Sequence, residues 1–158
     1  MTDEAASGLR AADVAEIDGI VEAFFAAFTS GAGTAARLAR LRSLFLPQAV
    51  IVRTGGGAPT VYDVDGFIAP RASMLSDGTL ENFREWQLDG HVDLFGDVAQ
   101  WFGAYAKSGL QDGERVDGRG MKSIQFVRTT ASWRISAAAW DDQREGLRIN
   151  DMDQDGVG

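Results

Sequence analysis

Cysteine is absent from the 158-residue chain, and histidine occurs only once, at His91. Without thiols the chain can form no disulfide, thiolate nucleophile or zinc–thiolate site, and one histidine excludes a multi-histidine metal cluster within one chain. No apolar run approaches the roughly 18 residues of a membrane span, and the acidic start of the chain has no apolar core of a secretory signal. These absences predict a cytoplasmic protein without a metal or cofactor.

Positive charge is also scarce, since 15 Lys and Arg face 23 Asp and Glu, for a formal net charge of −8. Binding to nucleic acid or to an anionic membrane needs clustered basic residues, so neither partner is expected. The hydrophobic content of 45% suits one globular domain. We expect a flexible segment over residues 1–12, a single domain over 13–142 and an acidic tail over 143–158.

Two helices are predicted near the N-terminus. Asp13 and Glu16 have the spacing of a capping box, and apolar residues then recur at three- and four-residue steps up to Phe28. Ser30 and Gly31 are expected to end this helix. A second helix is predicted from an N-cap at Thr34 to Pro47.

The rest of the chain favours strands. Runs rich in β-branched and aromatic residues predict strands over 49–53, 60–62, 80–94 and 98–106, with a short helix over 65–75 after the second of them. The polar, glycine-rich residues 107–118 are predicted to be a connection. A long hairpin follows, with strands over 121–128 and 133–140. Helices followed by antiparallel strands predict an α+β domain with a curved sheet.

Three short segments resemble the nuclear transport factor 2-like superfamily, in its SnoaL-like and ketosteroid-isomerase-like branch. They are LFLPQAV at 44–50, GDVA at 96–99 and SWRI at 132–135, and the resemblance covers residues 13–142. It implies a cone-shaped, cystatin-like α+β fold, in which a curved mixed or antiparallel sheet wraps around the N-terminal helices and an apolar pocket. It also implies a homodimer packed through the sheets, which fits the large apolar residues predicted on the strand faces.

The resemblance also permits a test of the isomerase mechanism. The isomerase-like members use a tyrosine, an aspartate base and a protonated acid, and their positions fall near Phe24, at Arg53 and at Gln125. Phe24 cannot donate a hydrogen bond, Arg53 cannot act as a base and Gln125 cannot titrate. The sequence therefore does not support that mechanism.

The resemblance instead implies a ligand pocket, with one side of each hairpin strand facing it. Small residues there leave space, Trp140 supplies an apolar wall, and Arg53 at the rim could bind an anionic or carbonyl group. The alternative is a filled core in which Trp140 only packs. The predicted ligand-binding residues are Phe24, Arg53, Phe102, Ser123, Gln125, Ser136, Ala138 and Trp140.

Three functions remain open at this point. The first is a pocket for a small apolar ligand with one polar end. The second is a lyase, isomerase or hydrolase that uses Arg53, Gln125 or Asp142 in that pocket, where adjacent Asp141 must face the opposite side. The third is a dimeric interaction module with a filled pocket. His91 lies among polar residues and is predicted on the surface or at a dimer interface.

The acidic tail contains half of a calcium-binding loop. Residues 151–156 read DMDQDG, with carboxylates at alternate positions and glycine at the sixth. The bidentate glutamate at the twelfth position is missing, so no metal site is expected.

Overall fold

A computed structural model describes residues 2–149 of the chain; the Asp-rich segment 151–156 lies outside the described residues. The described part of the chain contains nine elements, in the order α1 Asp3–Ala26, α2 Thr34–Leu44, β1 Phe45–Arg53, β2 Thr60–Tyr62, α3 Val64–Ser76, β3 Leu80–Phe95, β4 Val98–Gln111, β5 Glu114–Arg128 and β6 Trp133–Asp142. No helix within residues 2–149 has the length and apolar character needed to cross a membrane.

The strands form one six-stranded sheet in the order β2-β1-β6-β5-β4-β3. Among the strands of residues 2–149, only the β1–β6 pair is parallel, and all other neighbours are antiparallel. The three helices pack on one face, which we call the inner face, and bury an aromatic core that includes Phe24, Phe25 and Trp101. The predicted α+β fold, with a mixed sheet against N-terminal helices, is confirmed.

Helix α1 begins eleven residues earlier than predicted. Thr2 is its N-cap, and the predicted cap at Asp13 is therefore wrong. Asp13 instead accepts two hydrogen bonds of 2.7 Å from Arg128 and one of 3.1 Å from the Trp133 indole, and Glu16 accepts one from the Trp133 backbone. The hydrogen bond from Arg128 is the main cause that lowers the pKa of Asp13 to about 2. The two acids therefore hold the hairpin end against the helix.

The predicted connection over residues 107–118 is also wrong, because β4 and β5 continue through it. Asp112 and Gly113 both have positive φ, at 51° and 82°, and Gln111 pairs directly with Glu114. A two-residue turn of this kind matches the right-handed twist of its strands. The hairpin is therefore longer than the apolar pattern indicates, and its extension is polar.

Candidate functional site

A cavity of about 570 Å³ lies between helix α3 and the inner face of the sheet. Its apolar walls include Phe67 and Met74 of α3, Phe83 of β3 and Trp140 of β6. The polar extension of the β4–β5 hairpin closes one side, through Lys107, Gln111, Arg115 and Asp117 among others. All six strands of the sheet thus contribute residues to one concave surface.

Three ion pairs line this cavity: Lys122–Glu85 at 3.0 Å, Lys107–Asp142 at 2.9 Å and Arg115–Asp117 at 2.8 Å. They use all three acidic side chains of the lining. Two further basic residues, Arg53 and Arg71, also line it, and within residues 2–149 neither forms an ion pair with a carboxylate. The cavity therefore carries two uncompensated positive charges in an acidic protein.

Arg71 lies in an aromatic box. Its guanidinium carbon is 4.0 Å from the Phe67 ring centroid, 5.6 Å from that of Tyr62 and 5.7 Å from that of Trp140. One guanidinium nitrogen donates to the Phe67 carbonyl at 2.9 Å. Burial lowers the pKa of Arg71, which nearby Tyr62 and Glu85 partly oppose, but a guanidinium stays charged near neutral pH. A partly desolvated cation of this kind favours an anion.

Lys122 is the most deeply buried charged residue of the cavity lining. Only 3% of the residue is exposed, and its ammonium lies 4.6–5.6 Å from the centroids of five aromatic rings, those of Phe24, Phe25, Phe28, Tyr105 and Trp140. Burial lowers the pKa of Lys122, and the neighbouring Glu85 carboxylate opposes this effect. The proton on this amine is therefore held less firmly than on a surface lysine.

A second polar cluster forms around Asp142 of β6, whose hydrogen-bond donors reach it across strand β5. It accepts hydrogen bonds from the Tyr105 hydroxyl and the Lys107 ammonium, both from β4. A Cβ at Gly120 would lie 2.5 Å from the Tyr105 hydroxyl, and one at Gly118 would lie 2.9 Å from the Lys107 side chain. Glycine at these two positions therefore lets both side chains reach across β5.

The cluster around Asp142 is held in a fixed charge state. Burial opposes ionisation of Asp142, but the hydrogen bonds from Tyr105 and Lys107 outweigh it, so the pKa of Asp142 is below its usual value. Burial and the Asp142 carboxylate raise the pKa of Tyr105. Tyr105 is therefore a neutral donor and Asp142 an ionised acceptor near neutral pH. Asp141 faces away from the cavity and pairs with Arg144, as the alternation predicts.

The structure brings only two of the predicted ligand-binding residues to this cavity, Arg53 and Trp140. Phe24 and Ala138 point to the same face but are buried in the core, with 0% and 3% exposure. The predicted side of β5 is wrong, because Lys122, Ile124 and Phe126 are buried against the helices. The alternating residues Ser123 and Gln125 therefore lie on the outer face, as does Phe102, which pairs with Ser123.

Ser136 is displaced by a β-bulge. Gln125 pairs with Ala137 while the next residue, Phe126, pairs with Ile135, so Ser136 is the extra residue on β6. Ile135 and Ala138 are both buried. Before the bulge, odd-numbered residues of β6 therefore face the core, and after the bulge even-numbered residues do. Ser136 and Gln125 line a second concave surface on the outer face, together with Phe95 and Val98.

Sequence reasoning missed Arg71, Lys122 and Glu85. Two signals could have indicated the first two. Phe67, Arg71 and Met74 have the spacing of one helix face, which places Arg71 beside an apolar wall. Lys122 alternates with Ile124 and Phe126, the more apolar side of that strand. Within the described residues, no three or more His, Asp or Glu side chains are grouped so that they could hold a metal ion.

No protein-family model matches the chain, and no curated protein matches its sequence. Solved structures do match. An NTF2-like protein with a cystatin-like fold from Novosphingobium aromaticivorans is 18% identical with a TM-score of 0.66, over 89% of this chain and 88% of that one. An uncharacterised protein with a cystatin-like fold from Caulobacter vibrioides is 13% identical with a TM-score of 0.67, over 92% and 97%.

A third similar structure carries a suggested activity in its name. It is a candidate dehydratase from the NTF2-like family of Streptomyces avermitilis, 18% identical with a TM-score of 0.65, over 84% of this chain and 96% of that one. At these low sequence identities, the similarity to the solved structures shows the fold of the backbone alone. The chain therefore has the NTF2-like, cystatin-like fold that its sequence resembles.

Proposed function

We propose that this protein binds a small, largely apolar molecule with an anionic end in the cavity beneath helix α3. The observation that carries the proposal is the pair of guanidiniums, Arg53 and Arg71, that line an aromatic cavity without a carboxylate partner within residues 2–149. Arg71 donates from a partly desolvated site, where a charge-assisted hydrogen bond is strongest. Trp140 and Phe67 supply flat surfaces for the apolar part of the ligand.

An aromatic carboxylate and its primary amide provide a direct test, because they share a shape and differ in charge. We expect 4-phenylbutanoate to change the tryptophan fluorescence saturably and to bind about tenfold more tightly than 4-phenylbutanamide, the ratio expected when one charge-assisted hydrogen bond contributes about 1.5 kcal/mol. Trp140→Phe should remove most of the fluorescence change, since Trp140 is the tryptophan in the cavity lining. Equal affinities for the acid and the amide would contradict the proposal.

We also propose that the protein is a homodimer packed through the outer face of its sheet. The large apolar strand residues Trp101, Tyr105, Ile124 and Phe126, which were predicted to support such a dimer, are instead buried on the inner face. The outer face nevertheless exposes large apolar side chains at the β3–β4 turn, with Phe95 86% and Val98 56% exposed. Contiguous exposed apolar residues of this kind favour an interface.

Light scattering at tens of micromolar tests this assembly. The expected mass is twice the 17.0 kDa of one chain. Phe95→Asp should shift the mass toward that of a monomer, because a charge would be buried without a partner. Leu9→Asp is a matched control, since Leu9 is also exposed, at 57%, but lies on helix α1. A monomeric mass for the unmodified protein would refute the proposal.

A further inference from the structure

The chain contains only two lysines, Lys107 and Lys122, among its 15 basic residues, and both line the same cavity. Every other basic position is an arginine. Arginine and lysine carry the same charge, but only lysine can lose its proton near neutral pH and act as a nucleophile. The placement of both lysines in one concave site therefore points to amine chemistry there.

The environment of Lys122 differs sharply from that of Lys107. The Lys122 side chain is 4% exposed and lies among five aromatic rings, whereas the Lys107 side chain is 32% exposed. The amine of Lys122 contacts one carboxylate, Glu85, at 3.0 Å. Desolvation of an ammonium among apolar groups is a known way to obtain a free amine, and a neighbouring carboxylate can accept its proton.

We propose that Lys122 forms an imine with the carbonyl group of a ligand, so that the cavity takes small aldehydes or ketones that carry a carboxylate. The carboxylate requirement rests on the proposed function, in which Arg71 and Arg53 hold the anionic end. Trp140 connects the two ends of the site, because its ring centroid lies 5.7 Å from the Arg71 guanidinium carbon and 5.2 Å from the Lys122 amine. One planar ligand along this indole can contact both groups.

The protons and electrons of the step balance within the site. The Lys122 ammonium gives one proton to Glu85, and the free amine attacks the carbonyl carbon, so that a C–N bond forms and the C=O π pair moves to oxygen. A second ammonium proton and the proton held by Glu85 leave with that oxygen as water. The third proton remains on the iminium nitrogen, and Glu85 is again ionised.

Reductive trapping tests this proposal. The full-length protein is incubated with 4-formylbenzoate and sodium cyanoborohydride, and peptide mass spectrometry locates the adducts on the three amines of the chain. We expect severalfold more adduct at Lys122 than at Lys107, because burial of the Lys122 amine among five aromatic rings favours its uncharged, nucleophilic form. Lys122→Arg and Lys122→Met should remove this adduct and leave labelling of Lys107 and the N-terminus unchanged.

Two results separate this inference from the proposed function. If the two lysines are labelled equally, or only the N-terminal amine is labelled, while 4-methylbenzoate still changes the tryptophan fluorescence saturably, the imine site is refuted and anion binding stands. If Lys122 is labelled as readily by benzaldehyde as by 4-formylbenzoate, the imine site stands and selection for the anionic end is refuted.

Discussion

Glu85→Gln is expected to lower the free energy of unfolding by about 3 kcal/mol at about pH 6, since removal of one partner of a buried ion pair leaves the other charge unpaired. The Lys122 side chain is 4% exposed and that of Glu85 is 12% exposed, so bulk water compensates poorly for the lost carboxylate. The double variant Glu85→Gln/Lys122→Met should recover to within about 1 kcal/mol of the unmodified protein, because it removes both charges. Urea unfolding of the unmodified protein and of both variants measures the two differences.

The destabilisation caused by Glu85→Gln should also depend on pH and should increase as the pH falls. Burial places the folded-state pKa of Lys122 below its ordinary value of 10.5, so between these two values the unfolded chain binds more protons than the folded one. Stability therefore rises with pH across this window. Glu85 opposes the lowering, and its removal extends the window to lower pH. The destabilisation should consequently be larger at about pH 6 than at about pH 9.

The exposed pair Arg115–Asp117 supplies the matched control. Its side chains are 71% and 52% exposed. Asp117→Asn should therefore change the free energy of unfolding by less than about 1 kcal/mol, and this change should be the same at about pH 6 and at about pH 9. If Glu85→Gln were as mild as Asp117→Asn, the Lys122–Glu85 pair would not be the buried unit that the structure shows.

Local patterns in the sequence were sufficient for the element order. The apolar steps from Ile17 to Phe28 and the aromatic and β-branched runs of the hairpin predict elements that the structure confirms. The polar segment over 107–118 was missed for a physical reason. Several of its polar residues, among them Lys107 and Asp117, line a cavity instead of the core and hide the strand pattern. The Asp112–Gly113 pair was the remaining signal for a two-residue turn.

The site itself was predicted less well than the fold, because one extra residue in a strand reverses every later side chain. The bulge at Ser136 is set by pairing with β5 and leaves no mark in the local sequence. A similar shift in β3 lies between Gln87 and Asp89. Trp86 and Val92 are an even number of residues apart and would share a face in a regular strand, but the shift places Trp86 on the outer face and Val92 on the inner face. Arg53 and Trp140, which both line the cavity, pair with each other in the regular part of the β1–β6 ladder that follows these irregularities.

Lys122 and Arg71 were missed because charged residues are expected at the surface. Their burial depends on partners distant in sequence. Glu85 lies 37 residues before Lys122, and the Trp140 ring meets Arg71 only after β6 has paired beside β1. Side-chain alternation can place a residue on a face, but the partner that makes a buried charge tolerable comes from the tertiary fold.

Arg71→Met should weaken binding of 4-phenylbutanoate by about 10- to 100-fold, since a hydrogen bond to a charged group contributes about 1.5–3 kcal/mol. Binding of 4-phenylbutanamide should change by no more than about threefold, because methionine retains the apolar contact with the Phe67 and Trp140 rings. Arg71→Lys should give an intermediate loss, as it retains the charge and loses the planar fork that binds both carboxylate oxygens. Fluorescence titration of Trp140 reports all of these affinities.

Arg84 provides a control with the same local chemistry outside the cavity. Its guanidinium carbon lies 4.2 Å from the Trp86 ring centroid, and both residues are absent from the cavity lining. Arg84→Met removes an equal charge and an equal cation–aromatic contact, so it should leave the carboxylate affinity within about twofold. If Arg84→Met and Arg71→Met weakened the carboxylate equally, binding would depend on the overall charge of the protein, and the aromatic box around Arg71 would not be the anion site.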